Sequence, residues 1–70
     1  MTFDELCADV KKMVNEYSRP VECIVLTGKK YTKSSTELLY SVHCSLSRQV
    51  YTTPEIELAH RFIKGTMGAK

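Results

Sequence analysis

The residues of this 70-residue chain best equipped for chemistry are Cys7, Cys23, Cys44, His43 and His60. Thiolates and imidazoles hold zinc when they cluster, but no C-x-x-C or H-x-x-x-H spacing occurs here. His43 and Cys44 are neighbours on a strand-like stretch, so they point to opposite faces and do not readily share an ion. No feature marks an activated thiolate beside an oxyanion hole. No two carboxylates sit in an apolar setting that would split their pKa values. The expectation is a non-catalytic domain with no metal and no cofactor. Its cysteines are odd in number and far apart, which suits free thiols packed as small apolar groups in a reducing cytosol.

The remaining chemistry is electrostatic. In "TGKKYTKSS", residues 27 to 35, there are three lysines, one tyrosine, one glycine and no acid. A phosphate-cradling loop needs several glycines and leads into a helix N-terminus. This stretch has one glycine and leads into a strand, so it is not a P-loop. Two readings remain open. It is a solvated hairpin loop, or it is a basic contact arm in which Lys29, Lys30 and Lys33 meet acidic groups and Tyr31 stacks or packs. The net charge of +2 does not by itself indicate nucleic acid.

The elements that position these residues follow from periodicity. Phe3, Leu6, Cys7, Val10, Met13, Val14 and Tyr17 repeat at helical spacing, and Thr2 with Glu5 forms a capping box at the start. Pro20 ends this helix. Val21 to Thr27 is apolar on both faces, as a well-covered or central strand would be, and Gly28 is expected to break it. Leu38, Tyr40, Val42, Cys44 and Leu46 alternate with Leu39, Ser41, His43 and Ser45. The first set is expected to face the core, the second a partner or solvent. "SRQVYTT" reads as a short third strand, with Val50 and Tyr51 on opposite faces. Thr53-Pro54-Glu55 reads as a helix start, with Thr53 as cap and Pro54 in the first turn. Leu58, Ala59, Phe62 and Ile63 form that helix's apolar face, Ile56 and Met67 its edge. Glu57, His60, Arg61 and Lys64 lie opposite, where His60 is expected to be solvated. Gly65 is the expected stop, and residues 66 to 70 the expected frayed tail.

The fold class expected is α+β: one domain of order α-β-β-β-α, a three-stranded antiparallel sheet with two helices on one face. The opening segment is polar and acidic, unlike a secretory signal, and the longest apolar run, Cys23 to Leu26, is too short to span a membrane. The expected location is the cytoplasm.

This order, in about this length, resembles the double-stranded-RNA-binding domain. That family carries a basic K-K-x-A-K run at the start of its second helix, where this chain reads Pro54-Glu55-Ile56-Glu57-Leu58, with two acids in place of cations. The pieces Thr2 to Tyr17, Val21 to Thr27, Leu38 to Thr52 and the closing "RFIKG" also resemble small phage-encoded anti-CRISPR inhibitors. Members of that group that mimic DNA are strongly acidic, and this chain is not. The resemblance implies a protein that docks on a host defence or regulatory factor in the host cytoplasm. The candidate contact residues are Lys29, Lys30, Tyr31 and Lys33 on the basic stretch, with Leu39, Ser41, His43 and Tyr51 on the outer sheet face. The alternative is a nucleic-acid-binding domain that uses the basic stretch 28–35. A homodimer through the outer sheet or a sheet edge is also open.

Overall fold

The computed structural model describes residues 1–68 and shows helix α1 (Phe3–Glu16), strands β1 (Cys23–Tyr31), β2 (Thr36–Cys44) and β3 (Tyr51–Thr53), and helix α2 (Ile56–Thr66). The α-β-β-β-α order and the antiparallel sheet are those the sequence predicts. The sheet runs β1-β2-β3. Its buried residues, Val25, Val42, Cys44 and Thr53, all lie on one face, so both helices pack on that face.

The start of α1 is fixed locally. The Thr2 hydroxyl accepts from the Glu5 N–H (3.1 Å), and the Glu5 carboxylate accepts from the Thr2 N–H (2.8 Å). The Thr2 backbone N–H, and then the Thr2 hydroxyl, hold the Glu5 carboxyl below the usual carboxylate range. Leu6 and Val10 then enter the core, while Phe3, Met13, Val14 and Tyr17 pack at its margin. Cys7, expected on the apolar face, is exposed at its edge.

Four expectations about the bounds and setting of the elements are corrected. First, Gly28 does not break β1. It has no positive φ, its neighbourhood is open, and the strand continues to Tyr31. Most of "TGKKYTKSS" is therefore a β-ribbon, and only residues 32 to 35 form the turn. There the Thr32 N–H donates to the Ser35 carbonyl (2.8 Å), and the Thr32 hydroxyl accepts from the Ser35 N–H (3.0 Å). Second, β1 is an edge strand, not a covered or central one. Its apolar outer residues Ile24 and Leu26 stay exposed. Third, α2 begins at Ile56, not Pro54. Thr53 ends β3 as a buried residue, and its hydroxyl accepts from the Glu55 N–H (3.2 Å). Proline after a strand fixes the bend, and the helix starts once the chain has turned. Fourth, α2 runs through Gly65 to Thr66. Met67 is buried, and the left-handed stop is Gly68 (φ 66°). Residues 66 to 68 are thus part of the fold; residues 69 and 70 of the expected tail lie outside the described residues.

The α2 stripe of Ile56, Ala59, Ile63 and Met67 meets Leu6, Val10, Val25 and Val42 in a single core. His60 faces α1 rather than solvent: its Nε2 lies 3.0 Å from the Asp9 carboxylate. The two helices are therefore joined by a polar contact as well as by the core. No helix among the described residues is long and apolar enough to cross a membrane.

Candidate functional site

The register of the β1–β2 ribbon places the candidate contact residues other than Lys33 and Tyr51. Ile24 pairs with His43, Leu26 with Ser41, Gly28 with Leu39 and Lys30 with Glu37. Cross-strand partners share a face, so these eight residues all lie on the outer side of the sheet. Val25 pairs with Val42 and Thr27 with Tyr40 on the inner side, followed by Lys29 with Leu38 and Tyr31 with Thr36. The helices cover the base of the inner side only. The molecule measures 45 × 24 × 17 Å, and the far end of the ribbon projects as an arm. On it, Tyr31 is 76% exposed and Leu38 46% exposed, although Leu38 has the same parity as fully buried Val42.

The basic residues therefore do not act as one patch. Lys29 and Tyr31 share the inner side of the arm, Lys30 is on the outer side, and Lys33 is in the turn. Glu37 stands directly across from Lys30, an acid that the count over residues 27 to 35 leaves out.

Leu39, Ser41 and His43 do share the outer face, as predicted. Ser41 is tied to Thr52 through their hydroxyls (3.2 Å). Tyr51 does not belong there. It pairs with Val42 on the inner face, and its ring stacks on Phe62 of α2 at 4.5 Å and 6°. Burial of an aromatic ring against a helix outweighs the cost of turning Val50 out to solvent. The outer face gains Ile24 and Leu26, exposed at 53% and 52%, and Val50 beyond the start of β3. Sequence reasoning missed these three. For Ile24 and Leu26 the signal was present in the alternation of "VECIVLT", once β1 is known to have neighbours on one side and one face only; for Val50 it was the parity opposite to Tyr51.

Between this apolar strip and the loop after β2 lies a cleft of about 260 Å³. Ile24, His43 and Val50 line it together with Glu22, Arg48 and Gln49. Its walls are held by the Glu22 carbonyl, which accepts from the Ser45 N–H (2.8 Å), and by the Ser45 hydroxyl, which accepts from the Glu22 N–H (3.1 Å). His43 thus sits where an apolar strip meets a polar cleft, able to accept or donate a hydrogen bond.

Cys23 and Cys44, distant in sequence, are direct cross-strand partners on the inner face. Burial, and then the neighbouring Cys44 sulfur, push the Cys23 thiol up to about 12 from an ordinary 9.0. A raised thiol is a poor nucleophile, because each unit removes about tenfold of the thiolate. Alkylation followed by mass spectrometry at mildly alkaline pH should therefore modify exposed Cys7 first, and Cys23 at least about a hundredfold more slowly. Buried Cys44 should follow only as the domain opens. Equal rates at Cys7 and Cys23 would remove this assignment. The sign of the linked stability follows: Cys23 has no effect below the unfolded thiol value, and stability falls as pH rises from 9.0 to about 12. Among the described residues, no three His, Cys, Asp or Glu side chains converge to hold a metal ion.

No protein-family model, curated protein or solved structure matches the chain.

Proposed function

We propose that this domain is a non-catalytic binding protein that docks on a larger protein through the outer face of its sheet. One observation carries the reading: Ile24, Leu26 and Val50 are large, apolar and more than half exposed on the same face. On β2, Ser41 and His43 stand between the β1 pair and Val50, and Lys30 and Glu37 lie farther along the same face. Large apolar side chains exposed on one face beside hydrogen-bonding groups are what a protein interface needs. In line with the resemblance to small phage-encoded inhibitors, the partner is a host defence or regulatory factor met in the host cytoplasm. The experiment is affinity capture from a bacterial lysate with and without nuclease. A partner retained after nuclease supports the reading. Retention that disappears with nuclease overturns it.

A second reading, nucleic-acid binding through the arm, is favoured by Lys29 and Tyr31. They stand two residues apart on the uncovered side of a ribbon that ends in Lys33. Salt separates the two: nucleic-acid affinity falls steeply with log salt, whereas docking on the apolar face falls little.

Changing Lys29, Lys30 and Lys33 together to Glu is expected to leave the melting temperature nearly unchanged. The main structural cost is a new like-charge pair with Glu37, worth under about 1 kcal/mol. Association with the captured partner should slow by about tenfold at low salt, if the partner's surface is acidic. A collapse of thermal stability would instead make the lysines structural.

A further inference from the structure

The free edge of β1 is complementary to itself. Backbone groups along an antiparallel strand turn alternately toward and away from its neighbour. The Glu22 carbonyl and the Thr32 N–H both bond toward β2, at 2.8 Å each, so the even-numbered residues between them do so as well. The N–H and C=O groups of Cys23, Val25, Thr27, Lys29 and Tyr31 therefore line an open edge. Such an edge, nine residues long, is a template for another strand, and natural proteins rarely leave one bare.

We infer that two copies of this chain pair through β1, antiparallel about a two-fold axis at Leu26, to form one continuous six-stranded sheet. In that register Val25 meets the second copy's Thr27, and Cys23 its Lys29, so the outward-turned backbone groups of both strands bond to each other. Four features of the strand agree with it. Glu22 falls opposite Lys30, twice by symmetry, on the outer face. Leu26 meets its own symmetry mate there, with Ile24 beside it, so the two most exposed aliphatic residues of β1 cover each other. Tyr31, bare on the arm, arrives opposite Val21. Val21 is part of a groove of about 440 Å³ between α1 and β1, whose walls are Val10, Val14, Val25 and Cys23. The groove also takes in Glu22 and Ile24 from the outer face, so it opens around the free edge, where a second strand would lie. A groove beside an unpaired edge and an exposed ring on the same strand are the two halves of a strand-addition site. Lys11 at the rim is exposed, so its repulsion of the incoming Lys29 is screened by salt.

This pairing draws on Ile24 and Leu26 of the outer face as well as on the β1 edge, but it needs no other partner, and the test reads self-association alone. Sedimentation equilibrium of the full chain at high micromolar concentration should give twice the 8.0 kDa chain mass. Thr27→Pro removes an N–H that is unbonded in the single copy, so the fold should persist and the mass should fall to that of one chain. Glu22→Lys and Lys30→Glu should each weaken the dimer by about tenfold, and combining them should restore it, because the register places each opposite the other. The combined variant keeps the test valid if Thr27→Pro fails to fold. A wild-type chain that stays monomeric overturns the inference. So does a dimer indifferent to Thr27→Pro, or one that the combined charge reversal fails to restore.

Discussion

Val42→Asp is expected to unfold the domain, whereas Leu38→Asp leaves it folded. Both residues belong to the same alternating face of β2, four positions apart, yet Val42 is fully buried and Leu38 is 46% exposed. The difference is what lies beneath. Val42 pairs with Val25 and Tyr51 and sits in the core with Leu6 and Ile63. Leu38 pairs with Lys29 on the arm, past the reach of either helix. A chain of this size has about 4–10 kcal/mol of stability in all. Burying an unpaired carboxylate among aliphatic side chains costs several kcal/mol, enough to consume most of it. An aspartate at position 38 is solvated and has Lys29 across the ribbon, so its effect should be within about 1 kcal/mol. Circular dichroism melts of the two variants decide the matter. Similar melting temperatures would mean that the helices do not cover the sheet base selectively.

That contrast marks how far the sequence could be read. The capping box of Thr2 and Glu5, the helical repeat from Phe3 to Tyr17 and the alternation of Leu38 to Leu46 are local signals. The cap and a helix Phe3–Glu16 are there, and Tyr40, Val42 and Cys44 turn inward, while Cys7 and Leu38 are exposed and Leu46 lies past the end of β2. Where a strand's neighbours decide the outcome, local signals fail. Two apolar faces on "VECIVLT" suggest a central strand, but only the β1-β2-β3 order makes it an edge. Gly28 weakens a strand in isolation; here the register with Leu39 carries the ladder through it. Tyr51 and Val50 have opposite parity, and only the position of Phe62 on α2 decides that the tyrosine turns inward. Thr53 has the right side chain for a helix cap, yet pairing with Tyr40 keeps it in the sheet and moves the helix start to Ile56. For the candidate site, the outer set of Leu39, Ser41 and His43 was legible from parity. Ile24, Leu26 and Val50 were not, because exposure of an apolar side chain is a property of what the fold leaves uncovered.

The same logic makes Val50 the most informative residue for docking. Val50→Asp is expected to leave the melting temperature essentially unchanged, because the side chain is already 53% exposed and lies before the first residue of β3. It should nevertheless weaken the captured partner by about thirtyfold or more. A charge placed in the desolvated centre of an interface costs at least about 2 kcal/mol, while the same charge in water costs nothing. Ile24→Asp, across the same cleft, should act in the same direction. The pair also separates two surfaces. Ile24 is on β1, where a second copy would pair, so its substitution should disturb both self-association and docking. Val50 immediately precedes β3, at the end of the β1-β2-β3 order away from the β1 edge, so its substitution should disturb docking alone. Affinity by calorimetry against the captured partner, beside sedimentation of the variant by itself, gives both readings. Unchanged affinity for Val50→Asp would move the docking surface away from the cleft around His43 and toward the arm that carries Lys29 and Tyr31.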